Sequence, residues 1–462
     1  MEGKVVKGNR ITEGSIFGQL LLFFFPILFG TFFQQLYNTA DAMVVGRFVG
    51  KQALAAVGGS TSTLINLLVG FFVGLSSGAT VVISQFYGAR KADKVHWAVH
   101  TSIAFSVIGG IIFMIVGLVG SPWALEAMKT PEDVMGHAVV YIRIYFLGII
   151  VNLVYNMGAG ILRAVGDSRR PLYFLIASCF TNIILDVLLV AVLGMGVAGA
   201  ALATITSQLL SAVLVVLALM KTDDMYKLEW KKVRIDQRML QRIVRIGIPA
   251  GMQSVMYNIS NVIIQAGVNT LGTDNVTAWA TYGKVDGLYW MMINALGISA
   301  TTFVGQNLGR GNEPRARQGV SRALAIAMAA TVLVMIPVLV FAPQMTAFFN
   351  RKPEVVAYGA LLLRCISPFY VLCCFNQVYA AALRGAGNSK ATMIIMLCSF
   401  VLFRQVYLFI MSHYISHELI PLVMGYPAGW LVCSAATLIY YRRTSFLSTR
   451  LVAEDGSKED IQ

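Results

Sequence analysis

Apolar residues occur along this chain in long runs, and short polar segments separate the runs. Most runs are at least as long as the about 20 residues that an α-helix needs to cross the hydrocarbon core of a bilayer. The pattern therefore predicts an all-α, polytopic membrane protein with twelve transmembrane helices. The predicted spans are 16–45, 53–85, 95–119, 136–161, 172–193, 197–220, 243–268, 277–305, 320–342, 355–382, 391–413 and 419–441.

The basic residues are divided unequally between the two sides that these spans define. Of the 36 Lys and Arg residues, 27 fall in the N-terminal segment, the central loop, the C-terminal tail and alternate short loops, whereas five fall in the loops between them. Because loops rich in Lys and Arg remain in the cytoplasm, both termini and the central loop are predicted to be cytoplasmic. The net charge of +14 is thus a topology signal, and no nucleic acid partner is expected.

Composition agrees with a membrane protein and offers no enzyme site. The chain is 57% hydrophobic and 13% charged, whereas soluble domains are about 25% charged. All six cysteines fall inside apolar runs and lack the spacing of a metal site. No phosphate-binding loop of the Walker type is found, so ATP is not the expected energy source. We predict no metal, no cofactor and no catalytic residue.

The second half of the chain repeats the first. Four landmarks recur in the same order at offsets of 221 to 223 residues, and each such offset spans six helices. Because an even number of spans preserves orientation, this is a parallel repeat, which favours alternating access. The landmarks are LRAVGDSR at 162–169 with LRGAGNSK at 383–390, QFYGAR at 85–90 with QNLGRG at 306–311, VGKQALAA at 49–56 with LGTDNVTA at 271–278, and Pro26 with Pro249.

The repeat sets the predicted domain organisation, in which two bundles of six helices are joined by a basic linker. The N-terminal lobe is 1–220, the cytoplasmic linker is 221–242, the C-terminal lobe is 243–441 and the cytoplasmic tail is 442–462. Pro26 lies inside the first span, where a proline removes one helical hydrogen bond and crowds the preceding turn. We therefore predict a hinge at Pro26.

Two acidic residues lie in the predicted spans of the first lobe at similar depth. Asp41 is one to two turns from the outer end of span 1, and Asp186 is about two turns from the outer end of span 5. Thr204 in span 6 is at the same depth, roughly 6–12 Å inside the boundary at 1.5 Å per residue, and Asn182 precedes Asp186 by one turn. Because a carboxylate at the centre of a bilayer is costly, the four residues predict a cation-coupling site.

Structural alternatives for these acids stay open. Asp41 could satisfy a helix end or pair with Arg47, and Asp186 could hydrogen bond to a neighbouring helix without titrating. Asp286 in span 8 is a secondary candidate for which a structural ion pair is an equal alternative. The predicted substrate path consists of Gln34, Tyr37, Asn38, Asn152 and Asn156. For Asn152 and Asn156, which are one turn apart, helix–helix hydrogen bonding is an equal alternative.

The chain resembles the multidrug and toxic compound extrusion (MATE) family along almost its whole length. The resemblance rests on Pro26 with FFQQLYNTADAMVVGRFVGKQALAAVG, on SQFYGAR and LRAVGDSR, and on VGQNLGRGN and LRGAGNSK. It implies a V-shaped fold of two six-helix bundles that exports cationic or amphiphilic compounds. The acids are similar to those of the DinF-like bacterial branch, which implies that Asp41, Asn182, Asp186 and Thr204 form its coupling site. The other bacterial branch has acids in spans 7 and 10, and this chain has none there.

The favoured function is a secondary-active antiporter that exports small cationic or amphiphilic molecules in exchange for H⁺ or Na⁺. A lipid-linked sugar flippase is the alternative within transport, although few basic residues lie in the spans. A membrane receptor or scaffold is the alternative outside transport, and it has no evident use for intramembrane acids. We expect a monomer in the bacterial inner membrane, with a small-molecule substrate and the lipid bilayer as its partners.

Overall fold

The computed structural model describes residues 10–415, 418–446 and 450–452, and within them the chain is helical with short connections. The helices are α1 Ile16–Phe48, α2 Lys51–Gly58, α3 Ser60–Gly88, α4 Ala92–Ala127, α5 Glu132–Leu147, α6 Ile149–Ala164, α7 Arg169–Asp186, α8 Gly196–Met220, α9 Gln237–Asn269, α10 Thr273–Gly309, α11 Glu313–Val340, α12 Ala342–Phe349, α13 Pro353–Ile366, α14 Tyr370–Gly385, α15 Ser389–Met396, α16 Arg404–Ile410, α17 Leu419–Val423 and α18 Gly425–Arg443.

The predicted all-α, polytopic fold is confirmed. Among the described residues, ten helical segments are long and apolar enough to cross a membrane, and the bent pair α5 and α6 supplies an eleventh. The twelfth is α9, whose 33 residues include the predicted span 243–268. Its inner part reads GMQSVMYNISNVIIQ, so polar residues lower its hydropathy although it is long enough to span. Polar side chains in a span favour the interior of a bundle, where partners are available.

Two spans that the sequence predicted as continuous are broken at equivalent places in the repeat. The fourth span bends by 50° between α5 and α6, at Gly148. A side chain at Gly148 would meet Ile205 at 2.5 Å, so this position needs glycine. At the offset of 221, Gly148 corresponds to Phe369, and a 3₁₀ turn over Ser367–Phe369 separates α13 from α14. Pro368 in that turn cannot donate the backbone hydrogen bond that a continuous helix requires.

The fifth span of each repeat contains a stretch of π-helix. In the first repeat it covers Val187–Val192, directly after Asp186. In the second repeat it covers Leu397–Phe403, directly before Arg404. A π-helical stretch leaves backbone groups for other partners and is frequent at functional sites. The two stretches therefore place charged residues beside locally widened helix in both repeats.

By its internal contacts the chain divides into two units. One unit is Phe25–Gly251, and the other contains the described residues on either side of it. The divisions fall next to Pro26 and Pro249, the repeated prolines of α1 and α9. We call Phe25–Gly251 the first unit and the remainder the second unit. The predicted lobes 1–220 and 243–441 stay a prediction, since the units place the first parts of α1 and α9 differently.

Within the first unit, the central linker makes polar contacts with α3 and α4. Tyr87 of α3 donates to Asp224 at 2.9 Å, and the backbone N–H of Glu229 donates to His100 of α4 at 3.0 Å. The N–H of Asp236 donates to Thr101 at 3.0 Å. Because α9 begins at Gln237, the linker is shorter than the predicted 221–242. Residues 1–9 and 453–462, on which the predicted position of the termini also depends, lie outside the described residues.

Candidate functional site

The α1 portion of the site is one face of the helix. Tyr37 and Asp41 are one turn apart and are both 6% exposed, as expected for i and i+4 positions. Gln34 precedes Tyr37 by three residues and lies within hydrogen-bonding reach of its hydroxyl group. Asn38, which the sequence also placed on the substrate path, is exposed. The face of α1 that carries Asp41 is therefore turned into the first unit.

The α7 portion contributes the second carboxylate. Asn182 and Asp186, again one turn apart, are both fully buried at 0% exposure. The carboxylate of Asp41 is close enough to act electrostatically on Asp186. The structure thus brings together the two acids that the sequence placed at one depth. Among the described residues, neither acid has an ion-pair partner, and Arg47 is exposed.

Helices α8 and α5 complete the cluster with hydroxyl and amide groups. Thr204 of α8 is 5% exposed and donates to the carbonyl oxygen of Ala200 at 3.1 Å. Its hydroxyl group lies near Tyr141 of α5, and Tyr141 is also close to Asp41. Gln208, one turn beyond Thr204, lies near Tyr37 and Tyr145. Tyr141 is therefore a neighbour of both Thr204 and the acid of α1.

Sequence reasoning did not identify Tyr141, Tyr145 or Gln208. Tyr141 and Tyr145 are one turn apart on α5, and Gln208 is one turn from Thr204. That spacing is the usual sign of a shared helix face and could have been used to add them. Contacts between different helices, however, cannot be read from spacing along one helix.

Several polar atoms of this cluster are buried without a partner. They are Oδ1 of Asp41, both carboxylate oxygens of Asp186 and both side-chain polar atoms of Asn182. A buried charge without compensation costs several kcal/mol, on the order of the desolvation penalty of an ion in protein. A proton or a cation at these oxygens would remove that cost. Carboxylate, amide and hydroxyl oxygens are also the ligands that hard cations prefer.

The other predicted path residues make contacts of a different kind. Asn156 of α6 donates from Nδ2 to both the backbone oxygen and the Oδ1 of Asn152, each at 2.9 Å. These two asparagines therefore hydrogen bond to each other along one helix. Pro26 lies within α1, next to the boundary between the two units, which is a suitable position for a hinge.

Asp286 belongs to the second unit and has partners. Its Oδ1 accepts from the hydroxyl groups of Tyr370 at 2.6 Å and Tyr282 at 3.1 Å. Trp290 is a third donor within reach. The ion pair that the sequence allowed for Asp286 is replaced by hydrogen bonds from aromatic side chains, and Lys284 is exposed. Asp286 is thus stabilised as a hydrogen-bond acceptor within its own unit.

Comparison with protein families gives two matches to one model. The family described as MatE matches residues 26–188 and again residues 249–410, more than half of the chain in total. The second match begins 223 residues after the first, at the offset that separates Pro26 from Pro249. The internal repeat is thereby confirmed.

Similar proteins cover almost the whole length of the chain. "Probable multidrug resistance protein YoeA" of Bacillus subtilis (strain 168) is 27% identical over 94% of this chain and 95% of its own. "Probable multidrug resistance protein YpnP" of the same organism is 28% identical over 97% and 100%. A crystal structure of a MATE transporter in the bent conformation covers 95% of this chain and 97% of that chain, with a TM-score of 0.88 and 24% identity. An outward-facing multidrug resistance MATE family transporter gives a TM-score of 0.89 at 24% identity, over 95% and 98% of the two chains. These solved structures establish the fold.

Proposed function

Because the chain belongs to the MatE family of membrane transporters, we propose that it exports cationic or amphiphilic small molecules in exchange for H⁺ or Na⁺. The observation that supports coupling to an ion is the buried pair Asp41 and Asp186, whose oxygens lack partners. The relatives from Bacillus subtilis carry the name of multidrug resistance proteins, which supports drug-like substrates. Transport of this kind needs no covalent step, and we assign no catalytic residue.

In the proposed mechanism, the substrate and the coupling ion compete for the same charge state of the two carboxylates. A proton or sodium ion that reaches Asp41, Asn182, Asp186 and Thr204 neutralises the carboxylates. The neutral cluster favours a bent α1, with the change in direction at Pro26, where one backbone hydrogen bond is already missing. Because substrate and ion stabilise different conformations, each shifts the equilibrium by its differential affinity, which is the requirement for antiport by alternating access.

Export and its coupling ion can be measured together in proteoliposomes. We expect a cationic dye to accumulate inside inverted vesicles when a sodium or proton gradient is imposed, and not when the gradient is collapsed. Varying sodium at fixed pH and pH without sodium identifies the ion. Matched vesicles without the protein are the control. Movement of a lipid-linked sugar without any response of the dye would favour the flippase alternative.

The unequal distribution of basic residues predicts the orientation in the bacterial inner membrane. Cysteines that replace Lys51 or Arg351, both exposed, should react with a membrane-impermeant maleimide added to whole cells. A cysteine at Lys231 in the linker should react only after the membrane is permeabilised. The exposed Cys398 is first changed to serine, so that it does not contribute. Protection of both outer positions in whole cells would overturn this topology.

A further inference from the structure

The second unit contains a buried cation for which the proposed transport mechanism has no use. Arg404, the first residue of α16, is 0% exposed. Among the described residues, no carboxylate lies within ion-pairing distance of its guanidinium group. Intramembrane arginines are costly, and such residues typically mark substrate or ion pathways.

The guanidinium group is held by polar side chains of α9. Its Nε donates to Ser260 Oγ at 3.1 Å, and its Nη2 donates to Ser260 Oγ and, at 3.2 Å, to Asn261 Oδ1. The ring of Tyr426 lies 4.7 Å from the guanidinium carbon. The Nη1 atom is buried and has no hydrogen-bond partner. These hydrogen bonds thus fix the Nε and Nη2 side of the guanidinium group and leave the Nη1 donor without a partner.

A purely structural role does not require the positive charge. Ser260 also donates to the backbone oxygen of Phe400 at 2.7 Å, so its hydroxyl group satisfies a carbonyl of the π-helical stretch. Gln405 donates to the same Ser260 oxygen at 3.0 Å. A neutral hydrogen-bond donor at position 404 could complete these contacts around Ser260. The charge and the free Nη1 remain to be explained, and both fit an oxyanion that accepts from the guanidinium fork.

The repeat places Arg404 near the positions that correspond to the site of the first unit. At the offset of 223, Ser260 and Asn261 of α9 correspond to Tyr37 and Asn38 of α1. At the offset of 221, Arg404 corresponds to Ile183, which lies between Asn182 and Asp186. The second unit therefore has a buried cation within one helical turn of the position that corresponds to Asp186.

An apolar cavity lies beside the network of Arg404. This open cavity of ≈ 930 Å³ is lined by residues of α9 and of the eleventh span, among them Ile264 and Gln405, and Arg404 itself is not part of its wall. Gln405 thus belongs both to the cavity wall and to the network of Arg404. On the other side, Tyr426 stands between Arg404 and the aromatic cluster that contains Trp430, whose indole Nε1 is also a buried donor without a partner.

We propose that Arg404 binds an oxyanion of the substrate, so that the exported compounds include aromatic molecules that carry a carboxylate or phosphate group. The inference rests on the proposed export function and narrows its substrate class. Ser260 and Asn261 orient the guanidinium group, and Nη1 donates to the anion. The apolar body of the substrate occupies the adjoining cavity. Asp286, an acid of the second unit's aromatic cluster, already accepts hydrogen bonds from two tyrosine hydroxyl groups and forms no ion pair with Arg404.

A pair of dyes that differ only in one carboxylate tests the proposal. Rhodamine 110 carries a free carboxylate, and rhodamine 123 is its methyl ester. Binding of each dye to the purified full-length protein is measured by fluorescence anisotropy. We expect the acid to bind at least about 10-fold more tightly than the ester, the ratio that about 1.4 kcal/mol provides. Equal affinities in the wild-type protein would overturn the proposal, whatever the variants do.

Variants then assign the preference to Arg404. Arg404→Gln should remove the preference for rhodamine 110 and leave rhodamine 123 binding unchanged, whereas Arg404→Lys, which keeps the charge, should retain part of it. Arg364→Gln, at an exposed arginine of α13, is the matched control. If Arg404→Gln does not fold, the proposal is still tested by Arg404→Lys and by the ratio of the two dye affinities in the wild-type protein. An equal loss for both dyes would show that Arg404 is structural.

Competition distinguishes the kind of oxyanion, and transport distinguishes the two proposals. Benzoate should displace rhodamine 110 if the site prefers carboxylates, and phenyl phosphate should displace it more strongly if the site prefers phosphates. Displacement by neither compound would contradict an oxyanion site. Active export of rhodamine 123 with no preference for the acid would leave the export function intact and remove only the assignment of Arg404.

Discussion

Asp41→Asn and Asp186→Asn should each abolish export against a gradient while the protein still reaches the membrane. Both carboxylates are buried in the first unit, and three of their four oxygens lack a partner. An amide has nearly the shape of a carboxylic acid, so the fold should tolerate it. It cannot change charge, however, and a cluster that is permanently neutral cannot exchange one ligand for another.

The expected size of the effect follows from linkage. Coupling free energies between two ligands are typically about 1–3 kcal/mol, which corresponds to about 5- to 150-fold in affinity. We expect the ratio of internal to external dye in inverted proteoliposomes to fall by this factor and to become insensitive to sodium and pH. Equilibrium binding of the dye should persist at no more than the affinity of the protonated wild-type protein and should not respond to sodium or pH, because the amide imitates the protonated acid.

A matched acid provides the control for this experiment. Asp133 is exposed in the first turn of α5, and Asp133→Asn should export at the wild-type rate with unchanged ion dependence. Normal uphill export by both Asp41→Asn and Asp186→Asn would show that coupling lies elsewhere. Asp286, with its tyrosine partners in the second unit, would then be the next acid to replace.

The spans could be predicted from sequence because each depends on local composition alone. An apolar run of sufficient length is stable only across a bilayer or inside a large core, and twelve such runs exclude the second possibility. The repeat could also be predicted from the sequence, since it required only matching motifs at offsets of 221 to 223 residues. The broken helices at Gly148 and at Ser367–Phe369 were not predicted, because their cause is the space left by other helices.

The candidate site could be predicted only in part for the same reason. Depth along a helix follows from counting residues, and it brought Asp41 and Asp186 to one level. The direction of a side chain around the helix does not follow from depth, so Tyr141 and Gln208 were missed. The sequence places Arg404 inside the predicted span 391–413, but its lack of an acidic partner among the described residues is a property of the packing. The π-helical stretches beside Asp186 and Arg404 likewise depend on contacts between helices.

Gly74→Ala and Gly78→Ala should each lower the thermal stability of the protein, and the double variant should fail to accumulate. Both glycines lie on α3 at the spacing Gly-x₃-Gly, and they face Gly247 and Gly251, which have the same spacing on α9. All four belong to the first unit. Small residues at this spacing let two helix backbones approach closely in a membrane. A methyl group on Gly78 would lie 2.7 Å from the backbone nitrogen of Gly247, where backbone cannot move aside.

Whether a glycine-to-alanine substitution lowers or raises stability distinguishes the effect of close packing from that of helix propensity. In an open helical position, alanine is more favourable than glycine by roughly 0.5–1 kcal/mol. Gly120→Ala on α4, where a methyl group would meet no atom within 4 Å, should therefore leave stability unchanged or raise it. At Gly74 and Gly78 the clash should cost about 1–3 kcal/mol or more, as overpacking does elsewhere. The midpoint of thermal unfolding, followed by size-exclusion fluorescence in detergent, should fall for Gly74→Ala and Gly78→Ala and not for Gly120→Ala. Equal midpoints for all three variants would mean that α3 and the first part of α9 do not pack backbone to backbone in the folded protein.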